Sequence, residues 1–160
     1  MLCPKREQKL RLPDLDDNGD VVPHDHDEIQ NDDFLIRRVN PKQHVVPDDN
    51  RGCRRISSKL FQPSSAENGG MSVDIKPLIE GLGEAPEQYV VTPVFLGAVE
   101  FSVDVARGNN LRVGYDPLPD NECHGEVWGS NRPNRFSGSQ NKALHRSCRW
   151  LVELDDVELI

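Results

Sequence analysis

Glycine and proline punctuate this chain throughout, with 12 of each among 160 residues. Proline fixes φ and removes a backbone donor, and glycine is weak inside regular elements, so both mark ends and turns. That density favours short elements joined by many turns over a helix bundle. The length fits one domain with a real core. Phe34–Val39 reads as a strand running from apolar to basic, ended by Asn40 and Pro41. Val45 and Val46 form a short extended piece stopped by Pro47, and residues 48–52 are a turn. Residues 54–61 suit a strand or a single helical turn. Met71, Val73 and Ile75 alternate with Ser72 and Asp74, the pattern of a half-buried strand.

Further along, residues 76–83 suit a short helix closed by glycines, and residues 89–94 a strand. Residues 95–107 fit either a strand or one helix face. Leu111–Tyr115 and His124–Gly129 read as strands on either side of the rigid turn at 116–121. Residues 140–153 read as a helix capped by Ser139, with Leu144, Cys148, Leu151 and Val152 on its apolar side. The expected fold class is α+β, a mostly antiparallel sheet with a C-terminal helix packed on it.

Charge divides the chain. The net charge is −8, yet from Phe34 onward 15 basic residues stand against 17 acidic ones. Residues 1–33 carry the excess, and between Asp14 and Asp33 there is no Lys or Arg. They are expected to be an acidic, disordered tail, residues 34–155 the single domain, and 156–160 a short end. Within the tail, Asp14, Asp16, Asn18, Gly19 and Asp20 follow the start of a calcium loop. Asp25 stands where a bidentate Glu is usual, and Pro13 and Pro23 oppose the flanking helices. A nearly neutral domain argues against nucleic-acid binding. The basic residues Arg132, Arg135, Lys142, Arg146 and Arg149 are read as a solvated helix face. No apolar stretch is long enough to span a bilayer, and no secretory pattern opens the chain, so a cytoplasmic location is expected. The cysteines, Cys3, Cys53, Cys123 and Cys148, have no paired spacing. With His124 and His145 the last three could offer zinc ligands, but without a C-x2-C pair no metal site is assigned.

Arg37-Arg38-Val39, residues 45–50, residues 55–61, residues 71–74 and residues 116–129 (DPLPDN-x-x-HGEVWG from Asp116) form a set of motifs. In these the chain resembles a group of small uncharacterised bacterial proteins. The resemblance covers most of 34–152, implies one domain, and brings no activity with it.

The polar candidates are Arg37, Arg38, Arg55, Ser57, Ser58 and His124. An Arg on an early strand followed by a Ser pair resembles the Arg–Ser–Glu arrangement of ADP-ribosyltransferases. That resemblance implies an Arg on dinucleotide phosphates, serines ordering a nicotinamide pocket, and a Glu at the oxocarbenium-like sugar, supplied by Glu100 or, better placed on the strand of His124, Glu126, with NAD as the cofactor. Equally, Arg37 and Arg55 could pair with Asp48, Asp49 or Asp74 while Ser57 and Ser58 cap a turn. Two functions follow. One is a bacterial accessory or interaction protein whose acidic tail suits a basic protein partner. The other is an enzyme on a nucleotide-like anionic substrate, with His124 and Glu126 catalytic and Arg37, Arg38, Arg55, Ser57 and Ser58 binding it.

Overall fold

The computed structural model describes residues 9–160. It has the α+β architecture expected, with six strands in one sheet and three in a second. The large sheet contains β1 (Phe34–Val39), β4 (Met71–Ile75), β5 (Gly97–Ser102), β6 (Leu111–Tyr115), β7 (His124–Gly129) and β8 (Arg149–Val152). Their spatial order is β6-β7-β4-β1-β5-β8, and every neighbouring pair is antiparallel. The small sheet joins β2 (Val45–Asp48), β3 (Cys53–Ile56) and β9 (Val157–Glu158) in the order β2-β3-β9. Pro47 sits in β2, an edge strand, where a missing ladder donor is tolerated. Five short helices complete the fold: α1 (Pro41–His44), α2 (Lys76–Gly81), α3 (Pro86–Tyr89), α4 (Val103–Gly108) and α5 (Gly138–Ser147), with a 3-10 turn at Ser58–Phe61.

Residues paired across an antiparallel ladder share a face, so register separates two surfaces. Leu35, Val73, Ile75, Val99, Phe101, Val113 and Val127 point to one side and are all buried. Leu60 and Phe61 of the 3-10 turn, Val103 and Ala106 of α4, and Leu144 of α5 complete this core. The Asn141 side chain fastens α5 to the turn, donating to the Ser58 and Phe61 carbonyls at 2.8 and 2.7 Å. On the opposite face β4 and β7 carry Ser72, Asp74, His124 and Glu126, with Asp74 opposite His124 and Ser72 opposite Glu126.

Residues 9–33 cover part of that second face, where a disordered tail was expected; residues 1–8 lie outside the described chain. Ile29 is only 1% exposed and belongs to the core. The His26 amide donates to the Val113 carbonyl at 2.8 Å, and the Val113 amide to Asp25 Oδ1 at 2.9 Å. Arg107 of α4 gathers Asp25, the His26 and Ile29 carbonyls and Asn31 with bonds of 2.7–3.1 Å. The segment is held by backbone pairing along the edge strand β6 and by one arginine. A composition poor in apolar residues therefore conceals its attachment. Gly114 makes the close approach feasible: a Cβ there would lie 2.8 Å from His24 Cε1 and closer still to the Trp128 ring. At the other end, Val157 is buried and β9 pairs in parallel with β3, so 156–160 belongs to the domain too.

Several boundaries differ from expectation for local reasons. Residues 95–107 are both strand and helix, divided at Ser102, whose hydroxyl accepts the Val105 amide at 3.2 Å. Residues 54–61 likewise divide into β3 and the 3-10 turn. Residues 89–94 are not a strand: Pro86 starts α3, and Thr92 Oγ1 then accepts the Val94 and Phe95 amides. The final helix is capped by Ser137 in a capping box with Gln140, and it stops at Ser147, so Leu151 and Val152 lie in β8.

Ile29→Ala is expected to cost about 2–5 kcal/mol, the range for truncating a buried aliphatic side chain. Urea unfolding measures the loss, and limited proteolysis is expected to cut first within 9–33.

Candidate functional site

The second face of the sheet is built around Asp74, which is 3% exposed. Arg38 grips it bidentately, Nε to Oδ2 at 2.8 Å and Nη2 to Oδ1 at 3.0 Å. Asn121 Nδ2 donates to Oδ1 at 2.7 Å, and Asn121 Oδ1 accepts the Tyr89 hydroxyl at 2.6 Å and the Cys123 amide at 3.1 Å. The 116–121 turn is thereby drawn over the sheet beside β7.

That turn sets the state of His124, a residue 7% exposed. Its Nδ1 lies 2.7 Å from the Asp116 carbonyl, which can only accept, so Nδ1 carries the proton. The Asp116 carboxylate stands 3.6 Å from the same nitrogen. Neutral imidazole then offers an Nε2 lone pair, and the Ser72 hydroxyl donates to it at 2.6 Å. Ser72 is the exposed position of an otherwise buried strand.

Glu126 follows on the same face, with Oε1 3.9 Å from His124 Nε2. Its Oε2 is buried without a hydrogen-bond donor. Burial above all, and then the nearby Asp116 charge, pushes this carboxyl up to about 7. Asp116 is also raised, mainly by burial, with the His124 side pulling it down. The neutral Glu126 acid can share a hydrogen bond with the Asp116 carboxylate. Arg37 pairs with Val99 and so starts on the core side of the sheet, but past the end of the β1–β4 ladder it reaches this group. Its Nε donates to the Leu60 carbonyl and its Nη1 to the Ser72 carbonyl, both at 2.9 Å. Among the described residues no carboxylate pairs with it, and burial pushes the guanidinium down to about 10.

A pocket of about 400 Å³ opens onto Arg37, Arg38, Ser72, Asp74, Tyr89 and His124. A groove of about 790 Å³ is lined by Leu12, Leu15, Asp116, Leu118, Glu126 and Trp128. Leu118 borders both. Arg37, Arg38, His124 and Glu126 are thus brought together. Arg55, Ser57 and Ser58 are not. Arg55 Nε lies 3.4 Å from Asp48 Oδ2 in the small sheet. Ser57 Oγ accepts the Lys59 amide and caps the 3-10 turn, and the Ser58 carbonyl holds Asn141. The Arg–Ser–Glu arrangement therefore lacks its serine pair. Ser72 is the residue that sequence reasoning missed. The signal for Ser72 was its place in the alternation of β4, on the Asp74 side.

The ligand atoms of Asp116, His124 and Glu126 lie within 4.8 Å of one another and could close on a cation. His124 would first have to release Ser72 or the Asp116 carbonyl. The other such group among the described residues is His26, Asp27 and Glu28, and no cysteine takes part in either. The calcium-loop acids are otherwise engaged: Asp16 Oδ1 accepts the Asn18 and Asp20 amides, and Asp25 holds Val113 and Arg107. No family model, curated protein or solved structure matches this chain.

Folding raises the Glu126 carboxyl from 4.5 to about 7, so the native state binds this proton more tightly than the unfolded chain. The resulting stability is complete below the unfolded value and is lost as pH rises through the folded one. Glu126→Gln is expected to remove this dependence and to raise stability at pH 8 by about 1–3 kcal/mol relative to its effect at pH 4. Urea titrations of both proteins at the two pH values check it. Parallel pH profiles would assign the dependence to another group.

Proposed function

We propose that this protein is an enzyme acting on an anionic small molecule bound in the Arg37–Arg38–His124 pocket. The observation that carries the reading is Arg37. A half-buried guanidinium gains from a close counter-charge, and among the described residues this one bonds two backbone carbonyls, with the Glu126 and Asp74 charges acting on it from beyond ion-pair distance. An anionic group entering the pocket would supply that counter-charge. His124 stands in the same pocket with Nδ1–H committed to the Asp116 carbonyl and Nε2 facing the Ser72 hydroxyl, an arrangement suited to general-base work. Arg38 is already saturated by Asp74, so its part is to shape the wall rather than to hold the anion. The ADP-ribosyl-transfer form of this reading is set aside because Ser57 caps the 3-10 turn and neither Ser57 nor Ser58 lines the pocket, and NAD leaves the proposal with it.

A partner-binding, accessory role is supported by a separate feature. Leu12, Leu15 and Leu118 are exposed along the larger groove, 74%, 60% and 39% respectively. Apolar side chains gathered at one groove favour a contact surface.

Thermal-shift and calorimetric titration with inorganic phosphate, acetate, AMP and NAD test the pocket. At least one anion is expected to stabilise the protein, by about 2.7 kcal/mol at a hundredfold excess over Kd. Arg37→Ala is expected to weaken that binding at least tenfold. An anion bound equally well by the variant would remove Arg37 from the site.

A further inference from the structure

We infer that Ser72 is a nucleophile and that the pocket carries out acyl transfer on an ester bearing an anionic group; the inference rests on the pocket reading above. Three observations meet at this residue. The first is the 2.6 Å contact between Ser72 Oγ and His124 Nε2. The second is the tautomer: Nδ1–H is committed to the Asp116 carbonyl, so Nε2 can accept the serine proton. The third is accessibility. Met71, Val73, Asp74 and Ile75 are all buried, while Ser72 opens into the pocket. A serine hydroxyl is a weak nucleophile unless an adjacent base takes its proton, and such a base works best when a third group orients it. Asp116 is that third group, through its carbonyl at 2.7 Å and its carboxylate at 3.6 Å from Nδ1.

The site is also stiff where stiffness helps. Arg37 Nη1 holds the Ser72 carbonyl, and Ser72 pairs with Glu126 in the β4–β7 ladder, so the nucleophile's backbone is fixed from both sides. The ladder between β1 and β4 ends at Ile36 and Asp74, which leaves the Ser72 carbonyl to the guanidinium.

In the step itself, Ser72 Oγ forms a bond to the acyl carbon while the carbonyl π pair moves onto oxygen. The hydroxyl proton passes to His124 Nε2. Collapse of the tetrahedral species breaks the bond to the leaving alkoxide, which takes that proton from His124. Water then attacks the acyl-serine, giving a proton to His124. Collapse returns it to Ser72 Oγ and releases the carboxylic acid. The anionic part of the substrate sits toward Arg37, the one cation lining this pocket without a carboxylate partner among the described residues.

The test uses the full chain and a fluorophosphonate probe, followed by intact mass and peptide mapping. One adduct at Ser72 is expected. Ser72→Ala should abolish it while circular dichroism stays native. His124→Gln should slow labelling about 100-fold or more. Should that variant fold poorly, Asp116→Ala keeps the carbonyl on Nδ1 and removes only the carboxylate 3.6 Å away; slower labelling with retained circular dichroism is expected, and an unchanged rate removes the carboxylate from the proposal. No adduct, or an adduct at another residue, overturns the nucleophile. Phosphate binding to the wild-type protein, measured in parallel, separates the two readings. If phosphate binds and Ser72 stays unlabelled, the nucleophile falls and the pocket stands; if neither occurs, both fall.

Discussion

The Asp74 carboxylate is the contact on which the polar half of this molecule depends. It sits in the sheet opposite His124, almost without solvent, and a carboxylate so placed is tolerable only if its oxygens are filled. Arg38 from β1 and Asn121 from the 116–121 turn fill them. Each partner brings its own element with it. Arg38 ties β1 to β4 just where their ladder ends, and its guanidinium lies 5.9 Å over the Tyr89 ring. Asn121 anchors the turn that carries Asp116 to His124. A residue outside the polar cluster around His124 therefore sets the imidazole's tautomer, by deciding where the turn lies.

The same face shows how a protein tolerates charge inside a sheet. Glu100 on β5 is 4% exposed, and its two oxygens accept Lys76 and Arg149, each at 2.8 Å. Both cations also lie over the Phe34 ring, at 5.6 and 4.5 Å. That group is closed, with every charge answered locally. Residues 9–33 extend the cover over the other end of the face. His24 packs on Trp128 with ring centroids 5.3 Å apart, and its Nε2 accepts the Tyr115 amide at 3.2 Å. His26 accepts the Glu28 amide on Nδ1 and donates from Nε2 to the Arg11 carbonyl. These two histidines are backbone partners that hold the segment down.

What the sequence made legible was the alternation, and what it hid was the pairing. Met71 to Ile75 announces a strand with one apolar side, and that strand is present. Alternation puts Ser72 on the polar side with Asp74, but that it meets His124 follows only from the β4–β7 register, and register between strands about fifty residues apart has no local signature. Arg55, Ser57 and Ser58 misled because they are close in sequence to Arg37 and chemically apt. They belong to β3 and the turn after it, in a different sheet. The docked segment was hidden for another reason. Its attachment uses backbone atoms and Arg107, and neither leaves a mark in hydropathy.

Saturation separates the structural polar groups of this face from the chemically available ones. Asp74, Glu100 and Arg38 have their main bonding directions filled by protein, so binding anything else means breaking a buried charged contact. Arg37, Glu126 and Ser72 are different. Arg37 has backbone carbonyls where a carboxylate would balance it, Glu126 has an oxygen with no donor, and Ser72 spends its only proton on an imidazole lone pair. These three surround His124, on β7 or on the strands β4 and β1 beyond it. Unfilled groups scattered over a fold would be defects. Gathered around one neutral imidazole with a fixed tautomer, at the wall between a polar pocket and a groove, they form a site in which charge and protons have somewhere to go.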